Sequence, residues 1–176
     1  MKSWLAPLTL ALAAGLAAGA SVGPAVAAPT DNLAVPVPVN EEPFYLDCQD
    51  FDAKVQLSGK TGELRLPGDR TVFTGPNLRV TLTGPSGKTV SYVITGATHV
   101  TTLSDGSFDV TATGSNIIIV PYVPDDPATT DVVEGHSAGL FFTRGTMSWK
   151  LNSDGSEKEL FSGKGTVTDV CALLAP

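Results

Sequence analysis

The sequence predicts an all-β domain, an antiparallel β-sandwich or closed β-barrel of about eight to ten short strands with one terminal disulfide. Three observations carry this expectation. Apolar and polar residues alternate at period two in run after run, as in Leu78, Val80 and Leu82 against Arg79, Thr81 and Thr83. Glycine-rich turns punctuate those runs, and no stretch of about ten residues holds a three-four apolar spacing without glycine, proline or β-branched interruption. Cys48 and Cys171, the two cysteines, stand near opposite ends of the chain beyond its N-terminal segment.

Residues 1–27 read as an export signal. Lys2 supplies the positive start, an Ala/Leu-rich run extends from Leu5 to Ala20, and Ala25-Val26-Ala27 offers a small-x-small cleavage site. Pro7, Gly15 and Gly19 interrupt the run, and no later stretch approaches the roughly 20 apolar residues that a membrane span needs. The mature chain is therefore expected to be soluble, with no transmembrane anchor. Residues 28–43, with Pro36-Val37-Pro38 and Glu41-Glu42, form an extended leader. A single domain is expected over 44–176, long enough to bury a real core.

Within that domain Phe44-Tyr45-Leu46 opens the fold. Lys54 to Ser58 puts Val55 and Leu57 on one face, Glu63 to Leu66 puts Leu64 and Leu66 together, and Arg70 to Thr74 is a third short run. Leu78 to Thr83 and Thr89 to Thr95 flank Gly84-Pro85-Ser86-Gly87 and predict an antiparallel hairpin. His99 to Leu103 and Phe108 to Thr113 flank Ser104-Asp105-Gly106-Ser107 and predict a second, with Phe108, Val110 and Ala112 facing inward. Ile117-Ile118-Ile119-Val120 is apolar on both faces, which predicts a central strand covered by the facing sheet on one side and by a loop or partner on the other. Pro121 to Gly139 is an irregular, acidic, proline-rich excursion. Leu140 to Leu151 resumes extended structure, Ser153-Asp154-Gly155-Ser156 repeats the earlier turn, and Leu160-Phe161 with Val167 to Cys171 is read as a last strand pair.

All eighteen acidic residues but ten of the eleven basic ones lie beyond residue 27, which leaves the mature part at a net charge of −8. The basic residues are scattered singly, so nucleic acid is excluded as a partner. In an oxidising compartment the two cysteines read as one bridge clamping the first and last elements, worth at most about 5 kcal/mol through chain entropy. Structural zinc would need further soft or imidazole ligands, and His99 and His136 are the two histidines.

Several short motifs are weighed against plainer readings. Gly135-His136-Ser137-Ala138-Gly139 fits the Gly-x-Ser-x-Gly nucleophile elbow, but Leu140 onward reads as strand where the elbow needs a helix, and no histidine comes after Ser137. A convergent triad would take His99 as base and an acid such as Asp131. The plainer reading is a glycine-rich turn into a strand. Gly84 to Thr89 ends like a phosphate loop, yet its leading glycine is replaced by Leu82 and both flanks are strands. Asp47, Asp50 and Asp52, and separately Asp125, Asp126, Asp131 and Glu134, read as solvated acidic faces ahead of calcium ligands. Most of Tyr45, Tyr92, Tyr122, Phe141, Phe142 and Trp149 are expected in the core, with Tyr122 the candidate for exposure. The paired threonines 81 and 83, 111 and 113, and 166 and 168 read as ordinary outer-face residues.

The Ala-rich signal, the Phe44-Tyr45-Leu46-Asp47-Cys48 opening, Asn77 to Gly84, and the ending Gly165-Thr166-Val167-Thr168-Asp169-Val170-Cys171 together resemble small secreted β-rich proteins of actinobacteria. The resemblance implies export and a terminal bridge, and supplies no functional residues. The functional expectation is a secreted, non-catalytic binding or interaction protein of the cell envelope or extracellular space. It would need no cofactor, would use Pro121 to Gly139 as recognition loop, and would take a protein or envelope polysaccharide as partner. Two alternatives stand beside it: a secreted hydrolase, esterase-like through Ser137 or glycoside-directed through a carboxylate pair, and a structural envelope or assembly subunit.

Overall fold

A computed structural model describes residues 35–39, 41–120 and 139–176. Residues 1–34, Asn40 and the excursion over 121–138 lie outside the described residues. Alternation at period two builds eleven strands among the described residues, and every pairing between them is antiparallel. They are β1 (Val37–Pro38), β2 (Phe44–Asp47), β3 (Asp52–Ser58), β4 (Lys60–Leu66), β5 (Arg70–Thr74), β6 (Arg79–Thr83), β7 (Thr89–Val93), β8 (Ala97–Thr102), β9 (Phe108–Val120), β10 (Gly139–Leu151) and β11 (Glu157–Asp169). A single-turn helix, α1 (Val170–Leu174), lies at the C-terminal end. Among the described residues no helix is long and apolar enough to cross a membrane.

Two sheets result, one of seven strands in the order β1-β4-β5-β8-β9-β10-β11 and one of four in the order β2-β3-β6-β7. Neither closes on itself, so the barrel alternative is set aside. Both predicted hairpins form, as β6–β7 and β8–β9. The four-stranded sheet turns Ala53, Val55, Leu57, Val80 and Leu82 inward. Its outer face carries the threonines as expected, with hydroxyl pairs Thr81–Ser91 at 2.9 Å and Thr83–Thr89 at 3.2 Å.

Three expectations need correction. β9, β10 and β11 are not short: each runs thirteen residues. The anticipated last strand pair is one continuous strand, and Cys171 belongs to α1, which Asp169 caps by accepting from Ala172 N at 2.9 Å. Tyr45, expected in the core, is 64% exposed, because β2 shows its odd positions to solvent.

The long strands can stay continuous because glycines sit inside them. Gly145 pairs with Gly114 on one side and Gly165 on the other, and a Cβ on Gly114 would stand 3.1 Å from the Gly96 Cα. This row crosses four neighbouring segments. A Cβ on Gly145, at φ 131°, would overlap the Lys164 carbonyl and stand 2.7 Å from the Gly165 Cα. The row is therefore where side chains are excluded, and it is where the sheet bends. Phe141 and Phe161 sit eight register positions apart along β10, since Phe161 flanks Trp149, and a flat strand would hold them about 26 Å apart. Their ring centroids are 5.5 Å apart.

The bend produces two cores. The part of β9 and β10 beyond the glycine row, residues 115–120 with 139–144, is the far half, and the sheet on the other side of the row is the near half. On one face of the far half, Leu140, Phe142, Ile117 and Ile119 meet the four-stranded sheet, with Leu174 and the disulfide beside them. Tyr92 stacks on Phe142 there at 4.0 Å, and burial raises its phenol pKa. On the other face Ile118, Val120 and Phe141 meet Ala112, Met147, Trp149 and Phe161 of the sheet's own near half. This accounts for the doubly apolar run Ile117 to Val120: one cover is the facing sheet, the other is the same sheet folded back. Cys48 and Cys171 are bridged across 123 residues, and the Cys171 Sγ accepts from Leu140 N at 3.3 Å.

The glycine row can be tested by substitution. Gly145→Ala combines an unfavourable φ with a backbone overlap and is expected to cost about 2–4 kcal/mol in urea unfolding. Gly87→Ala, with a left-handed φ of 83° but open space around it, should cost about 1 kcal/mol. Equal losses would remove the special role of the row. A pH dependence is expected at Asp105, whose carboxylate accepts from Ser107 N and Oγ at 2.9 and 2.5 Å and from Lys158 at 3.3 Å. The Ser107 bonds first, and then Lys158, lower its pKa to about 2. A depressed carboxylate stabilises the fold above its unfolded value of 3.8, and that contribution is lost as pH falls through about 2. Carboxyl NMR titration should place the Asp105 midpoint near 2, and Ser107→Ala should move it upward.

Candidate functional site

The bend leaves a cavity of about 500 Å³ on the concave side of the seven-stranded sheet. Its floor comes from the near half, where Phe73 on β5, Thr98 on β8, Ala112 on β9 and Trp149 on β10 share one face by register. Its far wall is the run Ile117-Ile118-Ile119. Leu78 and Ile94, from the segments flanking the β6–β7 hairpin, join that wall, and leader residues Val35, Val37, Pro38 and Val39 close the remaining side.

Local sequence explains each contribution. The leader is held against the sheet by the β1–β4 pairing and by Val39 N donating to Gly59 O at 3.0 Å, so its valines border the cavity while Val35 and Val37 stay largely exposed. β8 starts at Ala97 because Gly96 lies against the chain of β9, where a Cβ would overlap the Thr113 carbonyl and the Asn116 amide. Asn116 turns back to donate from Nδ2 to Thr113 O at 3.1 Å. Beyond that point no strand among the described residues covers β9 on this side, and the cavity opens along the gap.

The lining is predominantly apolar. Its polar side chains are the Thr61, Thr74 and Thr98 hydroxyls, the Asn116 amide and the carboxylates of Glu41 and Glu63. No lysine or arginine lines it among the described residues. Arg65 lies beside Glu63, with Nε 2.8 Å from Oε1, and is itself 71% exposed. This pair is screened by solvent and adds little to stability. A site of this kind desolvates an apolar ligand and offers neutral hydrogen-bonding groups, with negative charge at the polar margin.

Of the catalytic and metal-ligating candidates read from the sequence, those among the described residues do not line the cavity, whereas Trp149 does. His99 is exposed on β8 and, by alternation, faces away from the cavity that Thr98 lines. Ser137, His136, Asp131, Asp125, Asp126, Glu134 and Tyr122 lie outside the described residues, as does the recognition loop apart from Gly139. The base of that loop is fixed by the pairing of Val120 with Gly139. Gly84 to Thr89 forms the predicted hairpin turn, with Gly84 N donating to Lys88 O at 2.9 Å and strands on both flanks. Asp47 serves the turn at Cys48, accepting from Gln49 N at 2.6 Å. Among the described residues no three His, Cys, Asp or Glu side chains gather as a metal-binding group.

Phe73, Thr98, Asn116 and Glu63 carry no sequence signal of a site, and each reads as an ordinary strand residue until the fold brings it to the cavity. The nearest signal is the run Ile117 to Val120 preceded by Gly114. Comparison with protein-family models, curated proteins and solved structures finds no match to this chain.

Proposed function

We propose that this chain is an exported, non-catalytic binding protein of the cell envelope or extracellular space, and that its binding site is the cavity between the two halves of the bent sheet. The observation that carries the reading is the pairing of volume with lining. About 500 Å³ falls within the roughly 300–1,000 Å³ typical of ligand sites, and apolar walls with a few placed polar groups are what such sites use. Export is supported by the signal-like residues 1–27 and by a disulfide bridge, a feature of oxidising compartments. The recognition surface in this reading is the cavity, and the excursion from Pro121 to Gly139 leaves β9 just past its Ile117-Ile118-Ile119 wall.

Occupancy has a built-in reporter, because Trp149 lines the cavity and Trp4 belongs to the signal segment. Titration of the mature protein with the neutral dye N-phenyl-1-naphthylamine is expected to enhance dye emission by transfer from Trp149. Thr98→Phe, which fills the floor without altering charge, should weaken dye binding roughly tenfold or more, a loss of about 1.4 kcal/mol. Thr61→Phe, at the side of the cavity, provides a second variant. Unchanged binding in both variants, with circular dichroism showing them folded, would remove the cavity as the site.

A further inference from the structure

Three consecutive residues, Ile117, Ile118 and Ile119, border the same cavity. In an extended strand the side chains of 117 and 119 point to the face opposite that of 118. What all three share with the cavity is therefore the main-chain edge of β9. Register supports this. β8 pairs with β9 from Phe108 to Thr113, and among the described residues the last main-chain bond on that side runs from Gly96 N to Ser115 O at 3.0 Å. Past Ser115 no strand among the described residues pairs with this edge. Since Ser115 turns its carbonyl to the open side, alternation turns the N–H and C=O of Ile117 and Ile119 the same way, while Ile118 is matched to Phe141 of β10.

An open strand edge inside an apolar cavity poses a specific chemical demand. Once a ligand displaces water from the cavity, the backbone donors and acceptors of this edge need partners, and the surrounding Phe73, Leu78 and Ile94 side chains supply none. A simple hydrocarbon ligand would fill the volume and leave those groups unmet. An extended polypeptide meets both demands, with its own ladder of N–H and C=O groups against β9 and apolar side chains at alternate positions. Charge at the mouth adds direction. Glu41 and Glu63 line the cavity with no basic residue among the described lining, and Glu41 makes no ion pair among the described residues.

We propose that the cavity receives an extended peptide segment of another protein, added as a strand along the β9 edge at Asn116–Val120, with apolar side chains inside and a basic residue at the acidic mouth. This rests on the cavity being the binding site and names the class of partner for it.

The test uses the mature protein, the naphthylamine dye and a capped hexapeptide that alternates valine and threonine and carries a lysine at one end. Two analogues are N-methylated at alternate residues, one at each parity, and a third replaces lysine with glutamate. The parent peptide is expected to displace the dye and to slow amide hydrogen exchange at Ile117 and Ile119, leaving Ile118 unaffected. One N-methylated analogue should lose at least about tenfold in affinity and the other should bind like the parent, because one parity faces β9. The glutamate peptide should bind more weakly, and Glu41→Gln with Glu63→Gln should narrow that difference.

Dye binding that none of the peptides competes with would overturn the peptide assignment and leave the cavity reading standing. Displacement with equal affinity by both N-methylated analogues, or without protection of Ile117 and Ile119, would likewise overturn it. Concentration-dependent protection of the same amides without peptide would assign the edge to a second copy of this chain and contradict the proposal. Failure of the dye itself to bind would remove the underlying reading.

Discussion

Four glycines in register across neighbouring segments set the shape of this protein. At Gly96, Gly114, Gly145 and Gly165 the chains approach so closely that Cβ atoms would meet backbone or the Asn116 side chain. Glycine inside a strand ordinarily weakens it through lost packing and added chain entropy. Here that cost is offset because the sheet can fold back and bury both faces of β9 and β10. Without the bend, Ile118, Val120 and Phe141 would face solvent, and each such side chain is worth about 1.5–3 kcal/mol when buried. The near half would lose its cover as well, since Trp149 and Phe161 pack on the same residues.

The consequences spread outward from that row. The far half of β9–β10 becomes a middle layer, with the four-stranded sheet on one side and the near half of its own sheet on the other. The disulfide fastens the turn after β2 to the helix after β11, beside the first residues of β10. A long loop closed by this bridge removes about 5 kcal/mol of entropy from the unfolded chain on the chain-entropy account. The cavity is a by-product of the same geometry: β8 cannot accompany β9 around the bend, so an edge is left open where the sheet folds. The cavity and the fold thus share one cause.

Much of the secondary structure is legible in the sequence because alternation is a local signal. Val80 and Leu82 against Thr81 and Thr83, and the two glycine-turn hairpins, are where the pattern puts them, and so is the terminal bridge. The mismatches in strand length come from glycine. Gly114 and the Gly163–Gly165 stretch read as breaks between short strands, whereas they are flexion points inside long ones, because a glycine's role depends on whether its neighbours in space are also glycines. α1 escapes prediction because a single turn capped by Asp169 leaves too short a pattern for periodicity. The cavity is hidden for a different reason: Val37, Glu63, Phe73, Thr98 and Trp149 are distant in sequence and carry no motif. Only the run Ile117 to Val120 announces a segment covered twice, and its second cover is the same sheet returning, where the sequence suggests a loop or partner.

The bend is tested most directly by aromatic nuclear Overhauser effects between Phe141 and Phe161 in protein carrying selectively labelled phenylalanine. The bent sheet holds the two ring centroids 5.5 Å apart and predicts strong cross-peaks, together with contacts from the Ile118 methyls to the near-half side chains. A sheet that runs straight through Gly145 would place those rings about 26 Å apart and give none. That result would contradict the bend, the second core and the cavity at once.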